Sequence, residues 1–66
     1  MARLRKDHKG AIKPTVTIVR RKKRAKLADI KAAQERAGYE FSTFAVWNAR
    51  NKGLIRRIRG ATYVPA

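Results

Sequence analysis

Residues 27–65 read LADIKAAQERAGYEFSTFAVWNARNKGLIRRIRGATYVP, and they contain two helical patterns followed by a basic hairpin pattern. The first pattern, residues 27–37, consists mainly of strong helix formers. Asp29 near its start and Gly38 just after its end are typical of helix termini. Its apolar side chains recur at helical spacing along one stripe, formed by Leu27, Ile30, Ala33 and Ala37. A helix is therefore predicted over residues 27–37.

A second helix is predicted from Ser42 or Thr43 to Lys52. Either hydroxyl can accept a hydrogen bond from an unpaired amide of the first helical turn. Gly53 ends the pattern, because glycine readily adopts the left-handed conformation that follows a helix. The short segment between the two helices makes them neighbours in space.

A β-hairpin is predicted from two strand patterns, residues 54–59 and 62–64, which end at Pro65. Gly60 and Ala61 join them, and glycine at the first central position suits a two-residue type II′ turn. If Arg59 lies opposite Thr62, the pleat divides the side chains between two faces. One face then carries Leu54, Ile58 and Tyr63, and the other carries Arg57 and Arg59.

Positive charge is concentrated in the N-terminal part of the chain. The 18 Lys and Arg residues and 4 Asp and Glu residues give a net charge of +14, and 11 of the 18 lie in residues 1–26. Residues 1–14 are predicted to be a flexible basic arm, because they are polar, contain Gly10, and end at Pro14, which disfavours a helical Lys13. Residues 15–66 are predicted to form the folded domain.

Residues 15–24 allow two predictions. The β-branched run from Thr15 to Val19 favours a strand. Alternatively, Thr15 caps a short helix that continues through Arg24. Both alternatives remain open from the sequence.

Several functional classes are excluded by composition. There is no Cys and only His8, so a metal site is not expected. No phosphate-binding loop, dinucleotide fingerprint or nucleophile elbow is present, and the few carboxylates do not form a convincing catalytic pair. We therefore expect no enzyme activity and no cofactor. We also expect a cytoplasmic protein that does not bind membranes, because there is no long apolar run and the basic run 20–24 has no apolar residue within it.

The net charge predicts a polyanionic partner, because phosphates relieve the self-repulsion and binding releases their counterions. Nucleic acid is the first choice. The order of helix, turn, helix, Gly-Leu-Ile and basic hairpin resembles the winged helix-turn-helix family of DNA-binding domains, over about 39 of the 66 residues. The pentamer NKGLI, residues 51–55, is its most telling part, because the family typically leaves its recognition helix through a Gly and two aliphatics.

The resemblance implies a small α+β fold, a winged helix-turn-helix with a C-terminal hairpin as the wing and a basic N-terminal arm. It implies that residues 42–52 are the recognition helix in the major groove of double-stranded DNA and that residues 54–64 are the wing. The chain departs from the family where its first helix is expected, at the ambiguous residues 15–24. Ala49 also stands where a large aliphatic commonly anchors the recognition helix, so we expect the aromatics to supply core packing: Phe41, Phe44 and Trp47.

Three groups of residues are assigned to DNA, with an ordinary solvated surface as the alternative for each. The basic run contacts the backbone: Arg20, Arg21, Lys22, Lys23 and Arg24. The second helix offers polar groups for base edges and phosphates: Ser42, Thr43, Asn48, Arg50, Asn51 and Lys52. The hairpin offers arginines for phosphates or a narrow minor groove: Arg56, Arg57 and Arg59.

These residues predict a DNA-binding transcriptional regulator or an architectural, nucleoid-associated protein, and the size and charge are in keeping with a phage or other mobile element. The first alternative is an RNA-binding or ribosome-associated basic protein. The second is a protein-interaction module on a winged fold. The sequence leaves the oligomeric state open, and a homodimer would double the phosphate contacts.

Overall fold

The computed structural model describes residues 3–66, which form three helices and three strands. In chain order these are α1 Ile12–Lys22, β1 Ala25–Lys26, α2 Leu27–Arg36, α3 Thr43–Asn51, β2 Ile55–Arg59 and β3 Thr62–Pro65. The strands form one antiparallel sheet in the order β1-β3-β2. Helix α1 contacts both other helices and the sheet. The described chain is thus a small compact α+β domain, and none of its helices is long and apolar enough to cross a membrane.

Helix α1 settles the choice left open for residues 15–24, because residues 15–22 are helical and the strand alternative is wrong. The limits of the helix alternative are also wrong, since Thr15 lies within the helix and does not cap it, and the helix ends at Lys22 and not at Arg24. Thr15, Val16 and Val19 are its buried residues and lie on one side of the helix. Their burial against the rest of the domain outweighs the preference of β-branched residues for strands. Lys23 follows in the left-handed region, at φ +62°, and its amide donates to the carbonyl of Val19.

The predicted boundary at Pro14 is wrong, because α1 begins at Ile12. Proline is tolerated there because amides of the first helical turn have no partner within the helix. The residues before the helix also contact the domain: the amide of Arg5 donates to the carbonyl of Gly38 (2.8 Å), and the carbonyl of Arg5 accepts from the amide of Glu40 (2.8 Å). The segment of residues 3–14 therefore contacts the domain, whereas a separate flexible arm was predicted. The first two residues of the predicted arm lie outside the described chain.

Helix α2 confirms the prediction for residues 27–37 to within one residue, and Gly38 follows it at φ +93°. The predicted stripe is only partly correct. Ile30 is buried, but Ala37 is exposed, and Gln34 is buried in the position between them. A polar residue can occupy this site because all of its polar atoms are hydrogen-bonded.

Gln34 connects three parts of the domain through its amide group. Its Nε2 donates to Oγ1 of Thr15 in α1 (2.8 Å) and to the carbonyl of Ser42 (3.3 Å). Its Oε1 accepts from the amide of Ser42 at 2.6 Å. Because Ser42 directly precedes α3, this buried network fixes the start of α3 relative to α1 and α2.

Helix α3 ends one residue before the predicted Lys52 and has one of the two predicted N-caps, Ser42. The Ser42 hydroxyl accepts a hydrogen bond from the amide of Ala45 at 3.0 Å, and Gly53 ends the helix at φ +73°. The side facing the core consists of small and medium side chains, Ala45, Val46 and Ala49.

The hairpin has the predicted turn and the predicted pairing of Arg59 with Thr62, and Gly60 lies at φ +50°. A bulge follows, because Arg57 and not Ile58 pairs with Tyr63. The extra residue shifts the pleat, so the expectation that Ile58 shares a buried face with Tyr63 is wrong. Ile58 is 45% exposed, whereas Tyr63 is buried.

The bulge also regroups the arginines. Arg56 pairs with Val64 and Arg59 with Thr62, so these two arginines share one face of the sheet. The prediction grouped Arg57 with Arg59 instead. Strand β1 was not predicted, because its two residues, Ala25 and Lys26, are too few for a periodic pattern.

Asp29 in the first turn of α2 is held in its charged form by two hydrogen bonds. Its carboxylate accepts from the amide of Lys26 (3.0 Å) and from Nζ of Lys22 (3.1 Å). The amide of Lys26, followed by the Lys22 side chain, lowers the pKa of Asp29 below its ordinary value. A lowered pKa stabilises the folded state at pH values above the ordinary carboxyl pKa. This stabilisation is lost as the pH falls through the lowered pKa of the folded state.

We therefore expect Asp29→Asn to lower the melting temperature at pH 7 and to have little effect at pH 2. As the pH falls through the lowered pKa, the wild-type carboxylate loses its charge, so wild type and variant become alike. Thermal unfolding followed by circular dichroism at both pH values measures the difference. Glu35→Gln, at an exposed position on the same helix, is the control. An equal effect of Asp29→Asn at the two pH values would contradict the role of the charge.

Candidate nucleic-acid interface

The outward side of α3 carries two large aromatic side chains. Phe44 is 52% exposed and Trp47 is 53% exposed, so the expectation that they pack in the core is wrong. The reason is that Ala45, Val46 and Ala49 already occupy the side of α3 that faces the domain. The opposite side is left to residues at helical spacing, Phe44, Trp47 and Asn51.

Phe44 and Trp47 form what we call the aromatic ridge. Their ring centroids are 5.8 Å apart and their planes differ by 30°, so the rings are stacked on each other. The ring of His8 lies at an angle of 59° to that of Phe44, at 5.3 Å, and its Nδ1 is 2.6 Å from the Ser42 hydroxyl oxygen. His8 is exposed, and these contacts hold the N-terminal segment against the start of α3.

Four of the six polar residues assigned to DNA on the second helix are exposed: Thr43, Arg50, Asn51 and Lys52. Ser42 is buried, and its hydroxyl is engaged by the amide of Ala45 and by His8. We therefore correct its assignment: it caps the helix and is not placed to contact DNA. Asn48 is half-buried and lines a groove beside the helix.

The groove that Asn48 lines runs between α1 and α3, and we call it the α1–α3 groove. Phe44 and Leu54 form part of its apolar lining. Four cationic side chains line it and no acidic one does: Lys9, Lys13, Arg20 and Lys52. Of these, Lys9 and Lys13 were not assigned to DNA, and no local signal in the sequence could have placed them beside α3, because only the packing of α1 brings them there.

A second groove lies between α3, the start of α2 and the sheet, and we call it the α3–sheet groove. Arg50, Thr43 and Tyr63 line it, together with both residues of the aromatic ridge. It also contains no acidic side chain. Phe44 therefore borders both grooves, and the aromatic ridge stands between cations on its two sides.

The residues of the basic run 20–24, which were assigned together to the DNA backbone, do not lie on one surface. Arg20 lines the α1–α3 groove, whereas Arg21 lines a groove between α1 and α2. Lys22 pairs with Asp29 at 3.1 Å. Successive residues of a helix point about 100° apart, so a contiguous run cannot face one way.

The end of the run meets the hairpin. Arg24 and Lys26 line a cleft with Arg59, and Asp29 lies in the same cleft. All three hairpin arginines are exposed, and Arg56 shares a sheet face with Arg59. Lys26 was not assigned to DNA, since only its pairing with Thr62 reveals its position next to the hairpin.

Little of this positive charge is neutralised within the chain. Among residues 3–66, Lys22 and Asp29 form the sole ion pair. In the same residues, no three His, Asp or Glu side chains come close enough together to hold a metal ion. The surface is thus cationic along the two sides of α3 and at the hairpin, where it offers donors for anionic oxygens, whereas Asp7 and Glu40 line a pocket with Ser42 at the start of the helix.

Comparisons with protein-family models, curated protein sequences and solved structures give no match for this chain. The fold and this surface define a small α+β domain with a helix pair, a hairpin and exposed cations on both.

Proposed function

We propose that the protein binds double-stranded DNA as a winged helix-turn-helix domain, with α3 in the major groove and the hairpin as the wing. The element order supports this, because α2 and α3 form the helix pair, β2 and β3 follow as the hairpin, and α1 precedes them. The helical state of residues 15–22 supplies the first helix, where the sequence departed from the family's pattern.

One observation carries the proposal: cations flank α3 on both sides, and neither flanking groove has an acidic side chain. The major groove is about 12 Å wide and admits an α-helix between two lines of phosphates. A helix in that position needs donors on each flank. The α1–α3 groove supplies Lys9, Arg20 and Lys52 on one side, and the α3–sheet groove supplies Arg50 on the other.

The hairpin would place Arg56 and Arg59 on the neighbouring backbone or in the minor groove. The hairpin arginines are exposed, and Arg24 and Lys26 line a cleft with Arg59, so further cations stand beside the wing. In this role the protein is a transcriptional regulator or an architectural protein associated with the nucleoid. Phosphate contacts position such a protein, and contacts to base edges set its sequence preference.

The test is the salt dependence of binding, measured by fluorescence anisotropy with a labelled 20-base-pair duplex. If about six to eight phosphates are neutralised, the slope of log affinity against log salt is about −5 to −7. Structured RNA serves as the competitor. A shallow slope, or tighter binding to the RNA than to the duplex, would contradict the proposal.

A further inference from the structure

The aromatic ridge is the one feature of the α3 surface that phosphate binding does not explain. Phe44 and Trp47 are each about half exposed and lie outside the hydrophobic core, which includes Ile30, Ile55 and Tyr63. Large exposed apolar side chains next to each other usually mark a binding site. The ligand must therefore have an apolar part that meets the ridge and anionic parts that meet the cations beside it.

The major groove of DNA has this arrangement. Phosphates border it on both sides, and base edges form its floor. On that floor the apolar group that distinguishes one base pair from another is the C5-methyl of thymine. A protein partner would have to supply both an apolar face and acidic side chains, because the grooves beside the ridge contain cations and no acidic side chain.

We infer that Phe44 and Trp47 contact thymine methyl groups, so that the protein prefers A·T-rich duplex DNA. This inference rests on the proposed binding of α3 in the major groove. The two residues are three apart on α3, so they lie one above the other on the outward side and can reach neighbouring base pairs. Asn51 continues the same side of the helix by one turn and can bond adenine through its amide.

The test compares two duplexes that differ in one chemical group. A 20-base-pair A·T-rich duplex is bound either with thymine or with deoxyuridine at every thymine position, which deletes the methyl groups and leaves the hydrogen-bonding groups unchanged. Burial of one methyl group is worth roughly fourfold in affinity, so two are worth roughly fifteenfold. We expect the wild-type protein to bind the thymine duplex about fifteenfold more tightly. Trp47 is the single tryptophan, so its fluorescence reports on the ridge directly.

The double variant Phe44→Ala, Trp47→Ala should bind both duplexes with equal affinity. Both side chains are exposed, so the variant is expected to fold, and circular dichroism checks its helix content. Arg56→Ala with Arg59→Ala is the matched comparison: it should weaken binding to both duplexes and preserve the fifteenfold ratio. The wild-type measurement tests the inference even if the aromatic variant does not fold.

The failures of the inference and of the proposed function are distinguishable. Equal wild-type affinity for the two duplexes would overturn the thymine contact and leave DNA binding intact. A thymine preference that persists in the aromatic double variant would also overturn it. Tighter binding to single-stranded oligo(dT) than to the duplex would replace it with stacking on exposed bases. No binding to either duplex would overturn the proposed function itself.

Discussion

Replacing Gln34 by Leu is expected to lower the free energy of unfolding by about 2–4 kcal/mol. Leucine fills a similar volume, so the core stays packed, but the amide and carbonyl of Ser42 both lose their hydrogen-bond partner. Each buried polar group left without a partner costs about 1–3 kcal/mol. A domain of this size has a total stability of only about 3–10 kcal/mol. We therefore expect the melting temperature to fall by roughly 10–25 °C.

Urea and thermal unfolding followed by circular dichroism measure the effect. Glu35→Ala, at the exposed neighbouring position on α2, is the control and should change stability little. Thr15→Val removes one acceptor of the Gln34 amide and leaves both Ser42 contacts, so its effect should be smaller than that of Gln34→Leu. A loss below about 1 kcal/mol in Gln34→Leu would show that the network is not important for stability.

The same network connects stability with the proposed function. Ser42 is both the partner of Gln34 and the N-cap of α3, so the position of the aromatic ridge depends on a buried amide in α2. A polar residue on the core side of a helix interrupts the stripe of apolar residues from which a buried helix face is predicted. The helix formers of α2 therefore predict the helix, but they do not reveal Gln34 as the residue that connects it to α3.

The elements with strong local signals were predicted closely. Helices α2 and α3 agree with the predictions to about one residue at each end, because Ser42, Gly38 and Gly53 determine their ends through local capping and left-handed backbone. The turn at Gly60 and the pairing of Arg59 with Thr62 follow from the conformational freedom of one glycine. Such effects act within a few residues and are visible in a single sequence.

Features that depend on long-range packing were not predicted. The local pattern of residues 15–19 suits a strand as well as a helix, and only burial against the other elements makes α1 helical. The bulge at Ile58 depends on how β3 pairs with both neighbouring strands. These choices are made by contacts between distant parts of the chain.

The candidate site was predicted only in part, because it also depends on contacts between distant parts of the chain. The exposed cations of α3 and the hairpin follow from composition and helical spacing. The exposure of Phe44 and Trp47 was missed, because it depends on small residues filling the side of α3 that faces the domain. Large aromatics are usually buried, so a sequence with few large aliphatics suggested the wrong side of the helix.

The double variant Arg56→Ala, Arg59→Ala is expected to weaken binding to duplex DNA by roughly 30-fold at 150 mM salt. The bulge brings these two side chains to one face of the hairpin, where each can contact a phosphate. Each phosphate contact contributes about 0.9 to the salt slope, so the slope becomes shallower by about 1.8. This slope difference of about 1.8, applied to the change in salt concentration from 1 M to 150 mM, corresponds to the 30-fold loss in affinity. Fluorescence anisotropy titrations at several salt concentrations measure both quantities.

The matched control is Lys31→Ala with Arg36→Ala, which removes the same net charge from exposed positions on α2. Arg36 lines the groove between α1 and α2, not either of the grooves beside α3. If the protein binds through a defined face, this control should change affinity and salt slope much less than the hairpin variant. If both variants lose affinity equally, attraction depends on net charge alone and the hairpin is not a wing. A difference between two variants of equal charge can only come from where on the fold the charges are placed.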